Sequence, residues 1–272
     1  MHLAPETFDA LRRLIHSLCG VALTPDKAYL VRHRLEPVMQ TAGLTSYEDL
    51  AAGLSRGDPA LAAAVVAAIT TQETSFFRDA HPFEALRTRI LPERQAQAAA
   101  AKRPLRLWSA ATATGQEAYT LAMLVAEAGG DRSGAKACEI VATDISAEAL
   151  QAAEKAEYAR RDVARGLSAA QLARFFDVCP AGYQVRPVLR RLITFRQLNL
   201  VDPFESLGTF DVVLCRNVLI YFDEPTRRSV VERIRGRLAP GGWLILGAAE
   251  NLYGISETFE SVRVGQTLAY RT

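Results

Sequence analysis

The segment Leu105–Tyr119 constrains the fold more than any other part of this 272-residue chain. A short apolar strand pattern, Leu105–Ser109, runs into small residues and Gly115, and then into an amphipathic helix pattern. Small residues let the backbone approach a ligand closely, and the first turn of a helix presents free N–H groups. Further on, Asp144 ends a second apolar strand pattern, where a carboxylate is able to hold two ribose hydroxyls. The two segments predict a pocket for an adenosine-type cofactor.

Strand and helix patterns alternate from Leu105 onward, which favours a mostly parallel sheet with helices on both faces. Strands are predicted near residues 105–109, 139–143, 192–196, 210–215, 243–248 and 264–271. Helices are predicted near residues 115–128, 146–157, 168–177 and 224–238. Ligands of such sheets bind at the carboxyl ends of strands, so the polar residues there are expected around one pocket. They are Ser109–Glu117, Asp144, Asn199 and Arg216-Asn217.

Residues 178–198 interrupt this alternation. Pro180–Gly182 is a turn signal, and Tyr183–Pro187 with Val188–Phe195 are candidates for short antiparallel strands. The segment therefore predicts a small β excursion from the main sheet.

The first hundred residues carry helical periodicity and repeated helix-start and helix-stop signals. One helix is predicted to end at Gly20, a second to begin at Thr24-Pro25, a third at Ser46 and a fourth at Asp58-Pro59. A further helix is predicted from His81-Pro82 toward Gln97, kinked or shortened by Pro92, with an alanine-rich connector behind it.

Composition excludes several classes. No apolar run is long enough to span a bilayer, and the first residues lack a signal-peptide pattern, so we expect a cytoplasmic protein without membrane insertion. The four cysteines are far apart without a C-x-x-C pair, and the four histidines lack metal-ligand spacing, so no metal is expected. A net charge of +2, without a sustained basic stripe, argues against nucleic acid as a partner.

Five ordered segments together resemble the CheR family of chemotaxis receptor methyltransferases, which are S-adenosylmethionine-dependent protein-glutamate O-methyltransferases. The resemblance spans roughly residues 5–271, and its most specific segment is Cys215–Asp223 (CRNVLIYFD). The other four are Thr71–Arg78 (TQETSFFR), Trp108–Glu117 (WSAATATGQE), Ala142–Ile145 (ATDI) and Gly265–Tyr270 (GQTLAY).

The resemblance implies a Rossmann-like α/β methyltransferase fold with a seven-stranded, mostly parallel sheet, behind a small all-helical domain. In this chain it implies a receptor-docking helical domain at 1–80, a linker helix at 81–104, and a cofactor-binding domain at 105–272 with a short β excursion at 178–198. The implied activity is methyl transfer from S-adenosylmethionine to receptor glutamates, leaving S-adenosylhomocysteine and glutamate methyl esters. The implied partners are the cytoplasmic helices of chemotaxis receptors, and nothing demands more than a monomer.

The resemblance also assigns site residues. The cofactor contacts of the family fall on Gln72, Thr74, Arg78, Ala111, Glu117, Asp144, Asn199, Leu200, Arg216 and Asn217. Of these, Asp144 would hold the ribose hydroxyls, Glu117 the methionine ammonium, and Asn199-Leu200 the adenine. Arg78 and Tyr221 match the family's residues beside the transferred methyl group. The receptor-docking candidates on the second helix are Lys27, Arg32 and Arg34.

The chain departs from the family pattern around the cofactor. Gln72 stands where asparagine is common, and Gln116 and Ala118 replace a common glutamate and proline. Ala111–Ala113 replaces Gly-Cys-Ser in many members. Because the excursion is short, we expect it to bind a receptor's C-terminal peptide weakly or not at all.

Two alternatives stay open at this stage. One is methylation of another substrate, such as a nucleic acid or a small molecule; the Asn/Asp-Pro-Pro-aromatic motif of many base-directed methyltransferases is missing, and Arg216–Val218 occupies that strand end. The other is a non-catalytic protein that senses S-adenosylmethionine or its product, favoured by the changes at Gln72, Thr112 and Gln116.

Overall fold

The structure, a computed structural model, describes residues 2–129 and 138–272. Its helices are α1 (Pro5–Cys19), α2 (Ala28–Thr41), α3 (Tyr47–Ser55), α4 (Pro59–Ile69), α5 (His81–Ala85), α6 (Leu91–Ala100), α7 (Gln116–Glu127), α8 (Ala147–Lys155), α9 (Arg160–Ala164), α10 (Ala169–Phe175), α11 (Pro187–Arg190) and α12 (Glu224–Arg235). Its strands are β1 (Leu105–Ala110), β2 (Cys138–Asp144), β3 (Glu157–Tyr158), β4 (Phe176–Cys179), β5 (Gly182–Val185), β6 (Ile193–Gln197), β7 (Phe210–Cys215), β8 (Leu238–Leu246), β9 (Glu260–Val264) and β10 (Thr267–Arg271).

The N-terminal helical region consists of α1–α4 around its own apolar core. Local capping sets its boundaries, as the sequence predicts. Gly20 ends α1 in the left-handed conformation, Ser46 Oγ accepts the N–H of Asp49 at the start of α3, and Asp58 accepts two N–H groups at the start of α4. The expectation of a small all-helical region before the sheet is confirmed.

The main sheet has seven strands in the order β6-β2-β1-β7-β8-β10-β9. β6, β2, β1, β7 and β8 run parallel, whereas β10 is antiparallel to both of its neighbours. The predicted seven-stranded, mostly parallel sheet is therefore confirmed. This topology brings the carboxyl ends of β6, β2, β1 and β7 to one edge of the sheet.

Alternating side chains bury both faces of the sheet in separate apolar layers. Leu107 and Ile245 contribute to one layer, which includes α7. Trp108 and Val213 contribute to the other, which includes α12. Burial on both faces is the usual condition of a parallel sheet and explains the continuous apolar runs of its strands.

Two sequence-based strand predictions are wrong. In place of one strand at residues 264–271, residues 260–271 form a hairpin of β9 and β10, because Gly265 takes a φ of +60° and reverses the chain. Tyr183–Pro187 does not pair with Val188–Phe195: Pro187 begins the short helix α11, a position its fixed φ suits, and β6 joins the main sheet beside β2. The small sheet, in the order β3-β5-β4, draws its strands from residues 157–185.

The helix predicted from His81 is interrupted by a π-helical segment, Leu86–Ile90, directly before Leu91-Pro92. Pro92 cannot donate an N–H and clashes with a regular turn before it, which accounts for a wider turn at this place. Beyond it, α6 fastens to the amino-terminal edge of the sheet through Arg94.

Asp211 is the centre of a buried ionic network at that edge. Its carboxylate accepts from buried Arg94 at 2.7 Å, from both terminal nitrogens of Arg103 at 2.7 and 2.6 Å, and from the N–H of Arg106 at 3.0 Å. Burial alone would raise the pKa of Asp211, but these donors outweigh it and hold the pKa below its usual value. The network joins α6 and β1 to β7.

No single helix in the described ranges is both long and apolar enough to cross a membrane. Among the helices of these ranges, the pair α3 and α4 alone meets that length and composition, and its two helices are bent against each other by 119°.

Asp211→Asn is expected to lower the free energy of unfolding by about 3 kcal/mol at neutral pH, because it leaves the Arg94 charge buried without a counter-charge. Urea unfolding checks this. Since the folded-state pKa of Asp211 is lowered, its stabilisation is present above the usual aspartate pKa and is lost as pH falls through the lowered value. The difference in the free energy of unfolding between wild type and Asp211→Asn should therefore become smaller at low pH.

Asp177→Asn is the matched control. Its ion pair with Arg186, at 2.9 Å, is exposed, so the loss should stay below about 1 kcal/mol. Equal losses in the two variants would contradict the role given to Asp211.

Candidate active site

A cleft lies where the carboxyl ends of β1, β2, β6 and β7 meet the N-terminal helical region. It is open to solvent at its mouth, and the space between its walls, with that solvent included, is about 880 Å³. Every cofactor-contact residue and both methyl-transfer residues predicted from the sequence line it. They are Gln72, Thr74, Arg78, Ala111, Glu117, Asp144, Asn199, Leu200, Arg216, Asn217 and Tyr221.

The turn between β1 and α7 forms one wall of the cleft in an unusual backbone conformation. Ala111 and Ala113 have φ values of +59° and +50°, which cost about 1–2 kcal/mol per non-glycine residue. Gly115 has a φ of +93°, and a Cβ there would lie 2.8 Å from the Cβ of Ala153. Such strain is characteristic of sites where the backbone must approach a ligand.

Asp144 fixes this turn from the end of β2. Its carboxylate accepts the N–H of Ala113 at 2.8 Å and that of Ser146 at 2.9 Å. Burial raises the pKa of Asp144, although these hydrogen bonds oppose the shift. The side chain, 4% exposed, still borders the cleft.

Gln72 faces Asp144 from the helical region's side of the cleft. Its Nε2 donates to Thr70 Oγ1 at 3.2 Å and makes a long contact of 3.4 Å with Asp144. Its Oε1 is buried without a hydrogen-bond partner among the described residues. A buried acceptor of this kind is costly unless a ligand donor satisfies it, and a nucleoside carries such N–H and O–H donors.

Arg216 ties three segments together in the wall of the cleft. Its side chain is 1% exposed and donates to Glu117 at 2.9 Å, to Asp79 at 2.9 Å and to the carbonyl of Arg78 at 2.8 Å. Glu117 also accepts from the buried hydroxyl of Ser109 at 2.8 Å. Two carboxylates share one guanidinium, so the group keeps a net negative charge, which suits a cationic ligand group such as an ammonium.

The loop Thr70–Ala80 carries Arg78 across the cleft. Phe76 anchors it, because its ring packs edge-on against Tyr158 at 5.0 Å and Phe176 at 5.6 Å. Gly166 packs directly against the backbone of Phe76, where any side chain would overlap it. Arg78 itself donates from Nη1 to the carbonyl of Glu73 at 2.7 Å, which holds the guanidinium along the loop.

Tyr221 lies in a 3₁₀ turn, Leu219–Tyr221, whose backbone is bound to the N-terminal helical region. The N–H of Ala22 donates to the Tyr221 carbonyl at 2.8 Å, and Val21 forms an antiparallel bridge with Phe222. The helical region therefore fixes the backbone of the residue predicted to lie beside the methyl group.

Glu250 orders the same loop and was missed by the sequence reasoning. Its carboxylate accepts the N–H groups of Asn217, Val218, Ile220 and Gly247 at 2.7–3.2 Å. Gly247 must lack a side chain, since a Cβ would lie 2.7 Å from the Glu250 carboxylate. The available signal was an acidic residue shortly after a predicted strand end.

Asn199 and Leu200 lie where the chain leaves β6. The Asn199 side chain donates to the carbonyl of Leu18 at 2.9 Å, so part of its amide joins the sheet to α1. Leu200 is buried in the apolar layer that includes α12.

The three predicted docking residues lie outside the cleft. Lys27 and Arg32 are exposed, and Lys27 belongs to a 3₁₀ turn before α2. Arg34 is half-buried and donates to the carbonyls of Ala68, Ile69 and Thr70. Its charge therefore stabilises the carboxyl end of α4.

No group of three or more His, Cys, Asp or Glu side chains is arranged to hold a metal ion within residues 2–129 and 138–272.

Comparison with known proteins accounts for nearly all of the sequence. Residues 72–267 match the family described as CheR methyltransferase, SAM binding domain. Residues 6–70 match CheR methyltransferase, all-alpha domain. Chemotaxis protein methyltransferase 1 of Pseudomonas aeruginosa is 41% identical over 274 residues, which cover 100% of this chain and 99% of that protein. The chemotaxis protein methyltransferase of Vibrio anguillarum is 39% identical over 99% of this chain and 98% of its own length.

These matches follow the division between α1–α4 and the sheet, with the boundary inside the loop that carries Gln72 and Arg78. The chain belongs to the CheR methyltransferase family, whose larger domain binds S-adenosylmethionine.

Proposed function

We propose that the protein transfers the methyl group of S-adenosylmethionine to glutamate carboxylates of chemotaxis receptors and so forms glutamate methyl esters. The observation that carries the proposal is the convergence of Asp144, Glu117, Arg78 and Tyr221 on one cleft in a chain of this family. The proposal includes a cytoplasmic location and receptor helices as partners.

The cleft offers suitable contacts for each part of the cofactor. The Asp144 carboxylate would accept the ribose hydroxyls, with Gln72 Oε1 beside it as an acceptor for a further donor. The net negative charge around Glu117 would hold the methionine ammonium, and Leu200 would offer apolar contact to the adenine. When bound, S-adenosylmethionine supplies an electrophilic methyl group on a positively charged sulfur.

The acceptor carboxylate needs no general base, because glutamate is ionised near neutral pH. One of its oxygens forms the new C–O bond while the C–S bond breaks and its electron pair remains on sulfur, so no proton has to move. The protein must exclude water, set the in-line geometry and hold the acceptor.

Arg78 and Tyr221 are suited to hold that acceptor. The Arg78 guanidinium uses Nη1 on the Glu73 carbonyl, and its fork geometry matches a carboxylate. Tyr221 lines the same cleft, and its backbone carbonyl is held by the N–H of Ala22. Lys27 and Arg32, exposed near the start of α2, would attract the acidic receptor surface, whereas Arg34 would support the end of α4.

The function is tested with purified protein, labelled S-adenosylmethionine and receptor-containing membranes. We expect base-labile methyl esters on the receptor. Label in nucleic acid instead would favour another substrate. Calorimetric binding of S-adenosylmethionine without turnover on any receptor would favour a non-catalytic sensor.

Arg78→Ala is expected to lower turnover at least about tenfold, a barrier increase of about 1.4 kcal/mol, because the acceptor loses its guanidinium partner. Initial rates at saturating cofactor measure this. Arg78→Lys keeps the positive charge but loses the two-pronged guanidinium, so its turnover should lie between those of wild type and Arg78→Ala. Unchanged turnover in Arg78→Ala would remove this residue from the mechanism.

Asp144→Ala is expected to weaken binding of S-adenosylhomocysteine at least about tenfold, because the ribose hydroxyls lose a charged acceptor. Calorimetric titration gives the dissociation constant. Asp202→Ala is the control, since that exposed carboxylate follows the neighbouring strand β6 outside the cleft. A normal constant for Asp144→Ala would refute the ribose role.

A further inference from the structure

Three exposed arginines lie on and directly after α9, and neither the sequence motifs nor the proposed chemistry uses them. We name Arg160, Arg161 and Arg165 the basic rim. The Arg161 side chain is 88% exposed and that of Arg165 64%. Arg160 is exposed and has no hydrogen bond or ion pair to the part of the chain that the structure describes.

The basic rim is fastened to the loop that carries Arg78. Arg165 lies 3.6 Å from the carboxylate of Glu73, whose carbonyl accepts from Arg78. The next residue, Gly166, packs on the Phe76 backbone. Two adjacent contacts therefore place α9 beside the mouth of the cleft, because Glu73 and Arg78 both line it.

Basic side chains outnumber acidic ones around the basic rim. Together with Arg78, the basic rim sets four guanidinium groups against the carboxylates of Glu73, Asp162 and Asp79, and Asp79 is already paired with buried Arg216. Asp162 is already engaged by the N–H of Ala159 and, at 3.6 Å, by Arg161. Exposed ion pairs of this length contribute little to stability, so these arginines are able to exchange their present partners for new ones at a small cost in free energy.

We propose that the basic rim is a docking surface for a second protein, a helix that carries carboxylates on either side of its target glutamate. This inference rests on the proposed function and extends it to recognition of the substrate. Arg160 and Arg161 lie on α9, and Arg165 follows it in extended backbone. Carboxylates three or four positions apart lie on one face of a partner helix, so such a helix presents several of them to the rim together. Such rim charges act mainly on the rate of encounter and on its salt dependence.

The test compares wild type with the double variant Arg160→Ala/Arg161→Ala. Lys102→Glu is the charge-matched control, since it also lowers the net charge by two at the amino-terminal edge of the sheet, opposite the cleft. Methyl-ester formation on receptor-containing membranes gives kcat and kcat/KM. The ionic strength is varied from about 10 mM to about 150 mM, which shortens the Debye length from about 30 Å to about 8 Å.

We expect the double variant to lose about fivefold in kcat/KM at low ionic strength. Its salt dependence should be flatter, and its kcat and its affinity for S-adenosylhomocysteine should be unchanged. A kcat/KM within about twofold of wild type, an equal loss in Lys102→Glu, or a parallel fall in kcat would overturn the inference.

A second experiment measures binding to the basic rim directly and does not depend on methyl transfer. A fluorescent, glutamate-rich helical peptide is titrated with each protein and followed by anisotropy, and the double variant alone should bind it more weakly. If wild type binds this peptide but forms no methyl ester, the proposed function fails and the docking surface stands. If wild type forms esters and all three proteins bind the peptide equally, the docking surface fails and the proposed function stands.

Discussion

The buried guanidinium of Arg216 is the interaction on which the site depends. It stands at the carboxyl end of β7 and binds Glu117 at the start of α7 and Asp79 at the end of the loop from the helical region. A charge buried this deeply is stable only beside its counter-charges, and both terminal nitrogens of Arg216 are paired, whereas its Nε is buried without a partner among the described residues. The contacts of the two terminal nitrogens fix the positions of Glu117 and the Arg78 backbone, so the ionic network sets the geometry of the cleft.

The N-terminal helical region is part of the site as well as a neighbour of it. Backbone and side-chain hydrogen bonds join Ala22 to Tyr221 and Leu18 to Asn199, and His16 lies 3.0 Å from Asp223 at the start of α12. These contacts come from one short stretch at the end of α1. A displacement of the helical region would therefore disturb Asn199 and Tyr221, which line the cleft, together.

Backbone strain is concentrated around the cleft. Ala111, Ala113 and Asn217 take left-handed φ values at strand ends, and Phe77 and Asp79 do so in the loop with Arg78. Carboxylates hold two of these residues in place: Asp144 accepts the N–H of Ala113, and Glu250 accepts the N–H of Asn217.

The sequence by itself determined the helical region, the order of most strands and the residues that would surround the pocket. These depend on local periodicity, on caps such as Ser46 and Asp58, and on the rule that parallel strands end at one edge. Only the tertiary structure decided the partners of Arg216, Glu117 and Asp79, which are 99 and 137 positions away along the chain. It also decided that Glu250 binds the backbone of Asn217 and that Arg34 binds the carboxyl end of α4. It also decided the strand pairing of residues 157–185 and 260–271. A local pattern gives the direction and the buried face of an element, whereas contacts between distant side chains follow from packing and register, which no single segment contains.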